Sequence, residues 1–176
     1  AGGGRFGEDV SVDSAWSAQG APSVAVVGSI NMDLVVRVER LPEPGETVSG
    51  GDLQRFHGGK GANQAVAAAR LGRPVAFVGC VGDDDAGSAL VAGLRADGVD
   101  VSHVRSLEGV PSGTALIAVA ERGENLIVVS PGANRRLMPE QVEAARRVLE
   151  PAAVTLVQLE IPMDAVRAAV GVSGGT

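Results

Sequence analysis

The chain has 176 residues, 45% apolar and 20% charged, enough for one folded domain with a sizeable core. Its net charge of -6 argues against a nucleic-acid backbone as partner, which demands clustered Lys and Arg. No apolar run approaches the ~20 residues of a membrane helix, so no membrane partner is expected either.

Aromatic residues make up only 2%, so the core must come from Val, Leu, Ile and Ala. The single cysteine, Cys80, excludes an internal disulfide; within "VAFVGCVG" it reads as a small hydrophobe. With no signal-peptide core in view, the expected location is cytoplasmic.

Residues 1–22 are rich in Gly and Ser without a period and read as a flexible tail, with the domain running over 23–176. The first apolar run, Val24 to Val27, is short and β-branched and ends at Gly28, the pattern of a buried strand. "LVVRVERL" continues extended, and "PEPGETVSGGDLQRF" reads as a turn followed by polar strand. A helix is predicted from Gly61 to Leu71. Ala62, Ala65, Val66 and Ala69 give it a face of small residues, and Gly72 closes it. "PVAFVGCVG" is a strand, followed by a helix near Ala86 to Ala96 and a weak strand at "VSHVRS". Asp83 to Asp85 read as capping residues of that helix. "GTALIAVA" and "ENLIVVS" flank "ERG" as a hairpin. Pro139 opens a helix through Leu149 with Val142, Ala145 and Leu149 inward; "AAVTLVQLE" is another strand, and Pro162 opens the last helix.

Strands alternating with helices predict a mostly parallel α/β sheet. The hairpin and the polar segment before Gly58 break that alternation and are expected to form a small flap outside it. Ligands of such sheets sit beyond the carboxyl ends of the strands. Asn31 and Asp33 follow the first strand, Glu160 follows the strand "AAVTLVQL", and "GGKG" at 58–61 opens a helix. All should reach one rim. Lys60 is the only lysine beside fourteen arginines. The glycines let the backbone approach a ligand, with helix N–H groups free to donate to it. Asn63 adds a donor and an acceptor. Carboxylates, amides and one ammonium together suit a polyol. Each piece also has a plain structural reading: "GGKG" as a turn, Asp33 as a local cap, Glu160 as a helix-start charge. His57 and His103 fit no metal or nucleophile pattern, and "GGKGAN" lacks the Ser or Thr and the glycine spacing of a P-loop.

"GSINMDLV", "LPEPGETV", "GGKGANQAVAAARLG", "VGDDDAG", "ENLIVVSPGAN" and "QLE" together resemble the ribokinase family of carbohydrate kinases, over about residues 24 to 170. "GGKGANQA" is nearer the ribose-phosphorylating branch than the phosphofructokinase branch. The resemblance implies a Rossmann-like ribokinase fold with a β lid, built from residues near 34–56 and 113–129. It implies transfer of the γ-phosphoryl of ATP to the 5-hydroxyl of ribose, with Mg²⁺ and a monovalent cation such as K⁺. Asn31, Asp33, Gly59, Lys60, Asn63 and Glu160 would hold the sugar, Asp33 accepting from two adjacent hydroxyls, while Ala115 and Val129 cover it. Lids of two subunits would pack together in a homodimer.

The family's Gly-Ala-Gly-Asp turn with the catalytic base, its Asn-x-x-Glu metal motif and its adenine pocket have no counterpart in these 176 residues. The expectation is therefore an amino-terminal portion of a kinase, incomplete at its C-terminus, with no catalytic residue of its own and inactive alone. A parallel sheet cut at a helix would also leave one edge and one apolar face uncovered, a liability for solubility. Two alternatives stay open: a non-catalytic sugar-binding or dimerising module, and a kinase for another sugar of the family, such as fructose or a nucleoside.

Overall fold

The computed structural model describes residues 22–174; the tail reading falls, but for Pro22, outside them. The described chain forms two four-stranded sheets. The first has the order β5-β4-β1-β8, made of Val99–Leu107, Val75–Gly82, Val24–Val27 and Val154–Val157, all parallel. Strand alternation sends its side chains into two separate cores. Ala25, Val27, Ala76, Val78 and Cys80 face one side; Val26, Val75, Phe77 and Val81 face the other.

Helices α1 (Lys60–Arg70) and α2 (Asp85–Ala96) cover the Phe77 side. Small Ala62 and Ala65 let α1 lie close to the strands. A left-handed Gly72 (φ 78°) ends α1, its N–H on Ala69 O and that of Arg73 on Ala68 O, so that the last carbonyls are satisfied. Asp84 caps α2, its carboxylate accepting from Gly87 N at 2.7 Å. The opposite side carries α3 (Pro139–Ala144), α4 (Arg146–Leu149) and α5 (Met163–Val172). The single helix expected over 139–149 is thus two. Ala145 N bonds to Val142 O, a tighter three-residue step. That step turns Val142, Ala145, Val148 and Leu149 all into the core. Cys80 is buried in this core, where loss of solvent pushes its thiol up to about 11, so it packs rather than reacts.

The second sheet has the order β3-β2-β6-β7, from Gln54–Gly58, Asn31–Val38, Gly113–Ala120 and Asn125–Ser130. β2 and β3 are antiparallel, as are β6 and β7. The two hairpin-like halves meet through β2 and β6, which run parallel, a pairing the sequence pattern did not foretell. A 3₁₀ turn at Gly132–Arg136, also unforeseen, returns the chain from β7 to the first sheet. Every residue of β7 is exposed. β8 is an outer strand of the first sheet, and Val154, Leu159, Met163 and Val170 lie exposed near it.

Candidate functional site

The chain passes from the first sheet to the second between β1 and β2, at Gly28 to Ile30. The site grows from that crossing. Gly59 precedes α1 with φ 91°, and a Cβ there would lie 2.7 Å from Ile30 Cα, 2.8 Å from Ser29 O and 2.9 Å from Asn31 N. Only glycine permits so close a backbone approach at that dihedral. The helix start that follows is capped from elsewhere in the chain. Lys60 N donates to Glu160 Oε2 (3.3 Å), Gly61 N to Ser29 Oγ (3.4 Å) and Ala62 N to Ser29 O (3.0 Å). This corrects the expectation of free N–H groups aimed at a ligand: these three are engaged, and a carboxylate already answers the helix dipole.

Glu160 is the centre of the arrangement. It accepts from Ser29 Oγ at 2.7 Å and forms an ion pair with Lys60 Nζ. Burial alone would raise its pKa; hydrogen bonds from the Lys60 side chain, Ser29 and Lys60 N outweigh that and hold it below the ordinary 4.5. Asp33 behaves oppositely. Burial first, then the negative charge of Glu160, raises it above the ordinary 3.8. Two neighbouring carboxylates therefore differ in kind: one is tied down by a cation, the other is left with spare accepting capacity.

Sheet register sets the rest. Phe56, Asp33, Ala115 and Val129 stand opposite one another across β3, β2, β6 and β7, and so share one face. Asn31, two residues before Asp33, shares that face and sits between Gly58 and Gly113. A side chain at Gly58 would fall on the Asp33 carboxylate, so the absence of one there makes room for it. Asn31 is buried, and its Oδ1 accepts from Asn134 Nδ2 at 2.7 Å. Val129 and Glu160 line one open groove of about 610 Å³ with Arg135 and Pro162. Asn63 is exposed and lines a different cavity, of about 390 Å³, with Arg55, Phe56 and His57. So Asn31, Asp33, Gly59, Lys60, Glu160, Ala115 and Val129 meet along the crossing between the sheets, while Asn63 stands at its margin.

Two participants were not singled out from the sequence. Both are buried: Ser29, within the crossing, donates to Glu160, and Asn134 accepts from Ile30 N of the same segment. The available signal was position: a polar residue just after a buried strand (Ser29), and one closing a Pro-Gly turn (Asn134). Among the described residues, no three His, Cys, Asp or Glu side chains gather to hold a metal ion.

A model of the pfkB family carbohydrate kinases matches residues 21–170. Ribokinase of Bacillus subtilis is 46% identical over 144 residues, covering 82% of this chain and 49% of that protein. Ribokinase of Schizosaccharomyces pombe is 42% identical over 157 residues, covering 86% and 49%. The solved structure of Arabidopsis thaliana ribokinase complexed with ribose and ATP superposes with a TM-score of 0.71 at 36% identity, covering 89% of this chain and 55% of that one. The chain spans about half the length of the curated relatives it matches.

Proposed function

Since the chain belongs to the pfkB family of carbohydrate kinases, we propose that it carries the sugar-recognition half of an ATP-dependent ribose kinase forming ribose 5-phosphate. The observation that carries this reading is the ion pair between the chain's only lysine and Glu160, one hundred residues away, beside an Asp33 with raised proton affinity. A neutral pentose presents hydroxyls that each donate and accept. Asp33 accepts from two of them; Lys60, Asn31, Asn63 and the Gly59 backbone donate; Glu160 holds Lys60 in place. Ala115 and Val129 cover the sugar from the second sheet, which acts as a lid. Closing it excludes water from the acceptor hydroxyl and limits wasteful hydrolysis.

ATP, which the Arabidopsis relative binds, supplies the phosphoryl group in this reading. No base and no phosphate site is assigned to these residues, since the N-terminus of α1 already holds a carboxylate. Mg²⁺ and K⁺ belong to the family reading as well. The described residues offer no three-ligand cluster for a divalent ion, and no step is assigned to either cation here. A cytoplasmic location accords with that reading.

Calorimetry tests the assignment. The 176-residue chain should bind ribose in preference to fructose or adenosine, and Lys60→Met should weaken ribose about tenfold to a hundredfold, the loss of one charge-assisted hydrogen bond. The same variant has an acid signature. Glu160 is depressed in the fold, so its contribution to stability is complete above its ordinary 4.5 and is lost as pH falls through the folded value. Without Lys60 the folded value moves back toward 4.5, so this contribution shrinks and stability falls less steeply with acid. Unchanged ribose affinity and an unchanged acid dependence of stability would overturn the assignment.

The lid exposes Phe56, Ile127 and Val129 on the Asp33 face and Leu116, Leu126 and Val128 on the opposite face, apolar surface on both sides of a small sheet. A second copy covers it in this proposal. Sedimentation velocity should show a dimer at micromolar concentration that Ile127→Asp converts to monomer; a monomeric parent chain refutes this pairing.

A further inference from the structure

We propose that Asn134 is a positioning residue that fixes which end of the Asn31 side-chain amide faces the sugar, an inference that deepens the ribose reading above. An amide's oxygen and nitrogen ends are told apart by their partners. For Asn134 the partners are backbone atoms and leave no choice. Its Oδ1 accepts from Ile30 N at 2.9 Å, and its Nδ2 donates to Ile30 O at 3.1 Å. Ile30 N can only donate and Ile30 O can only accept. The second Nδ2 hydrogen then points at Asn31 and donates to its Oδ1 at 2.7 Å. With its oxygen held inward, Asn31 turns its own NH₂ outward, where it has no protein partner among the described residues and is not sealed from solvent. The site thus presents a hydrogen-bond donor at Asn31 and selects a sugar oxygen that accepts.

The surroundings are shaped for this pair. Asn134 is 2% exposed, so its bonds have no water to replace them. A Cβ on Gly113 would fall on both Asn134 Nδ2 and Asn31 Oδ1; the missing side chain leaves the amides their space. Because Asn134 grips both polar atoms of Ile30, it also fixes the crossing from which Asn31 projects.

Two measurements on the 176-residue chain test the assignment. The first needs no sugar: hydrogen exchange of side-chain amides by NMR. The NH₂ of Asn134 should exchange at least about tenfold more slowly than that of Asn31; the reverse order overturns the proposal. The second compares ribose with its 2- and 3-deoxy and 2- and 3-deoxyfluoro analogues by calorimetry. Fluorine accepts weakly and never donates. At the position facing Asn31 the fluoro sugar should bind at least about threefold tighter than the deoxy sugar. Asn134→Ala should abolish that preference, and Lys60→Met should leave it. If Asn134→Ala melts earlier but keeps the preference, its role is only structural and the proposal fails. Should Asn134→Ala not fold, Asn31→Asp serves. It keeps the bond from Asn134 but turns an oxygen outward, and should lose the fluoro preference while Asn134 stays protected; a retained preference overturns the proposal. Absence of any ribose binding with the exchange order intact would refute the sugar reading and leave the amide lock standing.

Discussion

Asp33→Asn should remove ribose binding and leave the chain at least as resistant to heat as before. Both halves follow from the same fact. Asp33 sits partly buried on the shared face of the second sheet with Glu160 as its charged neighbour, so ionising it is harder in the fold than in the open chain. Its folded value lies above the ordinary 3.8. Such a group contributes stability below 3.8, and the contribution is lost as pH rises through the folded value. At neutral pH the carboxylate is therefore a net burden to the fold, which a neutral amide of the same shape relieves. Ribose suffers the opposite effect. Two hydroxyl donors lose a charged acceptor, about 3 kcal/mol or more in all, or over a hundredfold in Kd. Thermal melts at pH 7 and pH 4 with parallel calorimetry check this. The melting advantage should be present at pH 7 and shrink toward pH 4. A lower melting temperature with intact ribose affinity would contradict both halves at once. Such opposition between stability and function is a mark of a binding site.

Gly59→Ala should be the most damaging single-methyl change in the crossing region, lowering stability by more than about 3 kcal/mol. The dihedral pair, φ 91° and ψ 133°, lies outside the left-handed helical basin and alone accounts for about 1–3 kcal/mol. The remainder comes from crowding: the new methyl would meet backbone atoms of Ser29, Ile30 and Asn31 at 2.7 to 2.9 Å, and none of these can rotate away. Gly72 provides an internal control. It has a similar φ of 78°, but nothing lies within 4 Å of its missing Cβ. Gly72→Ala should therefore cost only the dihedral share. Urea unfolding of the two variants separates strain from crowding, and equal losses would show that the backbone around Gly59 yields.

Much of this arrangement could be read from residue order, and the limit of that reading is physical. The apolar runs Val24 to Val27 and Val75 to Val78 announced the two central strands, since four successive apolar residues need cover on both faces. The rule that ligands sit beyond strand ends brought Asn31, Asp33, Lys60 and Glu160 to one rim without any coordinates. What failed were statements about partners. Periodicity tells which face a side chain takes, not which strand lies beside it, so the parallel β2–β6 pairing stayed hidden. The break at Ala145 has no Gly or Pro to announce it; the need to bury four apolar side chains at once sets it. Likewise "GGKG" was expected to bring the backbone close to a ligand; the close approach at Gly59 is to the chain's own backbone at Ser29 to Asn31, and the helix N–H groups are bound by Ser29 and Glu160. Asn134 shows the same limit: its partners are backbone atoms of Ile30, more than one hundred residues earlier.

That separation along the chain has a temporal side. The inner strand β1 is made before both its neighbours, β4 and β8, which follow about fifty and one hundred and thirty residues later. On a ribosome, Ser29 and Lys60 emerge long before Glu160, so the ammonium and the helix start wait in water with no acid to meet them. The arrangement at the crossing has no nascent form: it comes together late, in one step, when residue 160 clears the exit tunnel and β8 docks beside β1.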